Sequence, residues 1–288
     1  MSGYSIQIVV PVYNGAATLQ RCLDSIRNQT FTAWQAILVD DASTDNSAEI
    51  ISRYAQEDNR FVTVLQQQNG GISSTRNKAL DMLDAEYVAF LDCDDWWEPG
   101  MLEVMYANAK DHDCDVVQCE FVYDFANGSQ VLPAGAFKKE TYLADKALRR
   151  VYRKMMTGIN MNHVCIKLIR TALIGDLRFD VNMKTAEDLV FCINLFKNVK
   201  RYMFLPLPLY HYYRSGTSIT GSSLSGRQKL EANHRAAEVL LEALPGWGID
   251  NIFYRMLTRL RAYIIIVSKI FRTAREKLVL RYGGKRHE

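Results

Sequence analysis

Short β-branched runs alternate with stretches whose apolar positions recur at helical spacing along the N-terminal third of the chain. Ile6 to Val10 reads as a strand ended by Pro11, after which Leu19, Cys22, Leu23 and Ile26 fall on one helix face. Ala36 to Val39 reads as a second strand closed by Asp40 and Asp41, and the polar turn Ser43-Thr44-Asp45-Asn46 leads into a helix with Ile50, Ile51 and Tyr54. Phe61 to Leu65 is a third strand, followed by Gly70-Gly71 and a helix through Ala79 and Leu83. Tyr87 to Leu91 is a fourth, and it stops at Asp92-Cys93-Asp94-Asp95. This alternation predicts an α/β fold with a mainly parallel central sheet, whose ligand crevice lies in loops at the carboxyl ends of the strands. The acid-containing segments fall in those loops.

The pattern loosens beyond a fifth strand, Asp115 to Tyr123. Helical stretches are expected around 141–157 and from Ala186 to Lys197. Pro206 and Pro208 then lead into His211-Tyr212-Tyr213-Arg214. Residues 221–226 read as a linker, followed by helices over 227–244 and 250–281 that are split by Pro245-Gly246-Trp247-Gly248. The expected organisation is a catalytic domain over 1–220, with a donor half to about 98 and an acceptor half from 99, plus a C-terminal helical extension over 221–288.

With 288 residues, 48% of them hydrophobic and 23% charged, the chain has the balance of an ordinary globular protein. The six scattered cysteines form no CxxC pair, so buried thiols in a reducing compartment are expected, without disulfides or structural zinc. No signal peptide or membrane-spanning stretch is read; Ala262 to Val267 is far short of the ~20 residues a span needs. Charge is uneven. Ten Lys or Arg against two Glu give residues 251–288 a net +8, leaving −5 on residues 1–250 of a chain whose total is +3.

Asp92 and Asp94 stand two apart after an apolar strand. In an extended segment that spacing aims both carboxylates to one side, which suits a hard divalent cation, although strand ends also finish in solvated acids. Arg76, on the helix after Gly70-Gly71, either faces a phosphate or base or lies on a solvated helix face. Thr185-x-x-Asp188 has the form of a capping box at a helix start. Asp45 suits the cap of its own following helix.

The segments VVPVYN (9–14), SIRNQTF (25–31), LVDDASTDNS (38–47), NGGISSTRNKAL (69–80), YVAFLDCDDW (87–96) and AEDLVF (186–191) closely resemble those of family 2 glycosyltransferases, in the same order and over residues 5 to about 220. The resemblance implies the GT-A fold and transfer of a sugar from a UDP-sugar with inversion at the anomeric carbon. Pro11 and Tyr13 would then wall the uracil, and Asp41 would accept its imide N–H. Arg76 would face the donor, Asp92 would hold the ribose and Asp94 a divalent metal, Mn²⁺ or Mg²⁺. Asp95 would share the metal or cap the following turn. Asp188 would be the general base. His211 would complete the metal shell and Arg214 would clamp the diphosphate.

The expected acceptor is a hydroxyl of a glycan, such as a lipid-linked surface polysaccharide or lipopolysaccharide intermediate. A processive synthase would need a membrane channel that is not read here. A nucleotide-sugar pyrophosphorylase or an NAD enzyme would share the sheet, but neither a GxGxxG loop nor a P-loop lysine motif is present. A catalytically silent sugar-nucleotide or membrane-binding scaffold is the alternative. No nucleic-acid partner is expected. Over 252–281, apolar residues recur at three- and four-residue steps between arginines and lysines, which suits docking on an anionic membrane surface, packing on the domain, or a homodimer seam. The expected location is the cytoplasm, with the tail able to bring the protein to the inner face of the cell membrane.

Overall fold

The computed structural model describes residues 3–157, 161–214 and 224–260. The first half alternates strand and helix: β1 (Ile6–Val12), α1 (Ala16–Arg27), β2 (Trp34–Asp40), α2 (Ser47–Glu57), β3 (Phe61–Leu65), α3 (Gly71–Leu80) and β4 (Tyr87–Phe90). It continues with β5 (Trp96–Trp97), α4 (Met101–Asp111), β6 (Val116–Phe125), β7 (Gln130–Val131), β8 (Thr141–Ala144) and α5 (Arg149–Thr157). The last elements are β9 (Lys167–Arg170), α6 (Glu187–Phe196), β10 (Arg201–Arg214) and α7 (Gly226–Ala243). These strands form one sheet in the order β3-β2-β1-β4-β9-β6-β10-β5, with β7 paired to β6 and β8 to β10.

β1, β2, β3 and β4 pair in parallel, as do β6 and β10, whereas β9 runs antiparallel between β4 and β6. The chain steps from β1 outward to β3 and then returns to β4 on the other side of β1, so loops diverge there and leave a crevice. Burial explains the continuous apolar runs. Ile8, Val10, Ala36, Leu38 and Ala89 point into a core shared with α1, α2 and α4, while Val9, Ile37, Val39, Val88 and Phe90 point into one shared with α3, α6 and α7. Both sheet faces are covered.

Three differences from the sequence reading have local causes. Pro11 does not end β1, because pairing with β4 stops at Val9 and the missing N–H falls where no neighbour requires it. Likewise β10 runs through Pro206 and Pro208, with register shifts against β6 between Phe204 and Tyr210 that place the prolines at bulges. Residues 141–144 are strand rather than helix, and the helix proper starts at Arg149.

The linker expected at 221–226 lies outside the described residues as far as 223. From Ser225 the chain forms a capping box with Gln228 that starts α7. α7 packs its Ala236, Val239 and Leu240 into the same core as α6. Residues 252–260 are helical, and the rest of the helix expected over 250–281 lies outside the described residues. No described helix is long and apolar enough to cross a membrane.

Candidate active site

Parallel register brings the ends of β1, β2 and β4 side by side, with Val12 level with Asp40 and Val9 with Phe90. The loops that follow are knitted together. The Asn14 and Gly15 N–H groups donate to Ser43 Oγ at 3.0 Å and Ser47 Oγ at 2.9 Å, and Cys93 Sγ accepts the Tyr13 N–H. A Cβ at Gly15 would lie 2.9 Å from Cys93 Sγ, so only glycine lets the acid loop approach this closely. Asp45 is not the N-cap of α2, which is Asn46, but it accepts the N–H of Ala16 and of Ser47, both at 3.0 Å, and so ties down the first residue of α1 and of α2. Tyr13 is left 43% exposed, its ring a free apolar face at the crevice. Pro11 is buried beneath it.

Asp41 is buried, and both of its carboxylate oxygens accept hydrogen bonds. Its Oδ1 accepts from the Gly70 N–H at 2.8 Å and Gln66 Nε2 at 2.9 Å, and its Oδ2 accepts from the Gly71 N–H at 2.8 Å. The carboxylate therefore occupies the N-terminus of α3, where unpaired N–H groups favour an anion. Gly70 and Gly71 serve this contact directly: Gly71 has φ +81°, and a Cβ on Gly70 would lie 2.6 Å from Ser74 Oγ.

α3 carries Arg76 inward. Its guanidinium, 1% exposed, lies 2.6 Å from Asp188 Oδ1, 2.8 Å from Asp92 Oδ1 and 3.5 Å from Glu187 Oε1. Burial alone would depress the pKa of Arg76, but Asp188, Asp92 and Glu187 together outweigh it and raise the value. The solvated-face reading of Arg76 does not hold. Burial also pushes Asp188 upward, with Arg76 pulling the other way, and Asp188 accepts the Val164 N–H as well. Burial, then the charge of Asp188, pushes Glu187 up to about 7. The capping-box geometry is absent: Ala186, at φ 62°, is the N-cap of α6, and no side chain caps it.

Residues 92–95 form a turn, closed by the Asp95 N–H donating to the Asp92 carbonyl at 3.0 Å, rather than the extended segment expected from the Asp-x-Asp spacing. The carboxylates consequently part. Asp92 turns to Arg76, and Asp95 is buried against the Tyr210 O–H and the Tyr213 N–H, the latter at 2.8 Å. Asp94 stands at the rim, where partial desolvation in the crevice and then the charge of Asp92 push its carboxyl up to about 6, against the pull of Arg21.

Among the described residues no three His, Cys, Asp or Glu side chains converge as a metal site. If a divalent ion binds at this turn, Asp94 would be the side chain to hold it, with the remaining oxygen ligands coming from a bound diphosphate and water, a set that suits Mg²⁺-like ions. The expected ligand His211 requires correction: its Nδ1 lies 2.8 Å from Asp124 Oδ2 and its Nε2 2.8 Å from Glu98 Oε1, so both ring nitrogens are occupied away from Asp94. Its ring stacks on Trp96. Arg214 ends β10 exposed, its guanidinium 4.3 Å from the Tyr123 ring centroid rather than against the acid turn.

Two cations went unread in the sequence. Lys167, fully buried, donates from Nζ to the Met161 carbonyl at 3.0 Å and the His163 carbonyl at 2.6 Å, tying down the loop whose Val164 N–H reaches Asp188. The lone lysine in the apolar run 164–169 was the available signal. Arg21 of α1 lies 3.7 Å from the Trp96 ring centroid and 4.5 Å from that of Tyr213, and donates to the Asp94 carbonyl at 2.9 Å. Nothing in the helix pattern marked it.

Residues 7–178 match the family model described as glycosyl transferase family 2. Among curated relatives, the putative glycosyltransferase EpsH of Bacillus subtilis (strain 168) is 30% identical over 215 residues, covering 72% of this chain and 60% of EpsH. The cholesterol galactosyltransferase of Borreliella burgdorferi is 28% identical over 298 residues, covering 96% of this chain and 82% of the relative. Among solved structures, Staphylococcus aureus TarS 1-349 in complex with UDP-GlcNAc superimposes with a TM-score of 0.67 at 23% identity, covering 84% of this chain and 72% of that one. That likeness is one of fold, and the fold is GT-A.

Proposed function

The chain belongs to glycosyl transferase family 2, and from that premise we propose that it transfers a sugar from a UDP-sugar to a hydroxyl of an acceptor glycan, with inversion at the anomeric carbon. The observation that carries the reading is the meeting of an exposed aromatic face, an un-neutralised carboxylate turn and an arginine-held carboxylate in one crevice. Tyr13 offers its ring to the base, a stacking contact worth about 1–3 kcal/mol. Asp41, held at the N-terminus of α3, fixes the floor beneath it and retains acceptor capacity on Oδ2 for an imide N–H. Asp92, anchored by Arg76, keeps a second oxygen for a ribose hydroxyl. A divalent ion at Asp94 would supply charge neutralisation for the diphosphate leaving group.

Asp188 is the proposed base. The acceptor oxygen forms its bond to the anomeric carbon as the bond to the diphosphate oxygen breaks, UDP leaves with that electron pair, and Asp188 takes the acceptor proton. Arg76 and the Val164 N–H hold Asp188 in place, while its burial raises its basicity above that of a solvated carboxylate. TarS, crystallised with UDP-GlcNAc, supports a UDP-sugar donor, and the likeness to a cholesterol galactosyltransferase supports an acceptor carried on a lipid. The catalytic unit is proposed to span 1–220 and the extension 221–288.

The test is UDP release from UDP-glucose, UDP-galactose and their N-acetyl forms, with Mn²⁺ and without acceptor. Slow hydrolysis of one donor is expected. If calorimetry shows UDP binding but no donor is ever turned over, even with glycan acceptors, the protein is a sugar-nucleotide-binding scaffold instead.

A further inference from the structure

The helical segment 252–260 meets the rest of the protein on one side only. Tyr254 and Leu257 pack against the core shared by α6 and α7, and Thr258 is fully buried. On the other side Ile252, Phe253, Met256 and Leu260 are 78%, 64%, 57% and 51% exposed. Successive helical residues turn by about 100°, so these four fall within one stripe about 100° wide, with Arg255 and Arg259 along one edge and the buried positions opposite. Both arginines are exposed, and Arg255 is held in an ion pair with Asp250 at 2.6 Å. Four large apolar side chains in a row are not the scattered exposure that any surface carries.

Charge selects the occupant. The stripe opens a segment, 251–288, of net +8, against −5 for the rest of the chain. Two such segments repel each other, which disfavours a second copy of the chain. An anionic lipid surface complements both features, taking the apolar stripe into the interface and the basic residues at its headgroups.

We propose that the exposed face of residues 252–260 docks this protein on an anionic membrane surface. Because Tyr254 and Leu257 pack on the core that includes α6, docking would hold the α6 end of the crevice, where Glu187 and Asp188 lie, at a fixed orientation to the membrane. The face is independent of the donor-binding loops.

Co-sedimentation of the full-length protein with vesicles of equal phosphatidylglycerol and phosphatidylcholine, against pure phosphatidylcholine, tests this. Binding only to the anionic vesicles is expected, lost at ~1 M salt where the screening length falls to about 3 Å. The variant Phe253→Ser/Met256→Ser/Leu260→Ser should lose at least tenfold in vesicle affinity while retaining UDP affinity. Phe253→Ser alone, at the edge of the stripe, should show a smaller loss and serves if the triple variant fails to fold. No binding by wild type at low salt overturns the proposal, as does unchanged binding by the variants. A wild-type dimer in light scattering that the variants split would also overturn it, making the stripe a seam between copies. UDP affinity, measured in parallel, keeps this outcome separate from any failure of the catalytic reading.

Discussion

The Arg76 cluster and the Asp94–Asp95 turn share one loop and handle carboxylate charge in different ways. In the cluster one buried guanidinium meets three carboxylates, so Asp92, Glu187 and Asp188 are positioned before any ligand arrives. In the turn, neither carboxylate is ion-paired among the described residues, Arg21 reaching the Asp94 carbonyl instead: Asp95 is satisfied by a tyrosine and a backbone N–H, and Asp94 is pushed up to about 6. Such a difference separates a preorganised element from one completed by its ligand. Removing the cation from the first should break the fold locally, whereas removing a carboxylate from the second should relieve repulsion and abolish only function.

The largest effect is therefore expected from Arg76→Met, which removes the buried guanidinium that three half-buried carboxylates share; loss of one partner from a buried ion pair costs about 3–5 kcal/mol. Urea unfolding should show it, and an unchanged midpoint would mean that the cluster is not structural. Asp94→Asn should leave that midpoint unchanged or raised, yet remove the effect of Mn²⁺ on UDP affinity; equal Mn²⁺ dependence in variant and wild type counts against a cation at this turn. Lys167→Met should act more gently. Asp188 faces Arg76, Asp92, Glu187 and Lys167, and Lys167 lowers its pKa, so loss of Lys167 should move the acidic limb of the kcat/KM profile to higher pH. A uniform drop in rate with no shift would reduce Lys167 to a purely structural role.

The smallest expected effect concerns stability against pH. Glu187 is raised from 4.5 to about 7 in the folded chain, so between those values the folded protein holds a proton that the unfolded chain has released. Stability attributable to Glu187 then falls as pH rises through that window, and Glu187→Gln should flatten the slope. A slope identical in the variant would assign the proton to another group.

The same contrast governs what the sequence could reveal. β1 to β4 are buried on both faces, so their apolar runs and acid-ended loops stand out, and the crevice follows from their order. β9 escaped because Lys167 interrupts its pattern, its charge being answered by two backbone carbonyls that no spacing rule anticipates. β10 escaped because Pro206 and Pro208 interrupt its run of apolar and aromatic residues, although bulges absorb them. Within the site, residue types and motif order singled out Asp41, Asp92, Asp94 and Asp188 as candidates. The Asp-x-Asp spacing suggested paired carboxylates, but a turn separates them. Joining α3 to α6 through Arg76, and seating His211 between Asp124 and Glu98, depend on long-range packing that local pattern does not encode.

The most direct test of the whole account is Asp188→Asn, assayed for transfer or donor hydrolysis alongside UDP calorimetry. This change keeps the shape of the side chain and removes its capacity to take a proton. The account predicts UDP affinity close to wild type with turnover reduced by ~10² or more, the usual share of a positioned general base. Turnover retained within a few-fold, at unchanged UDP affinity, would contradict it and leave Asp188 only the task of holding Arg76.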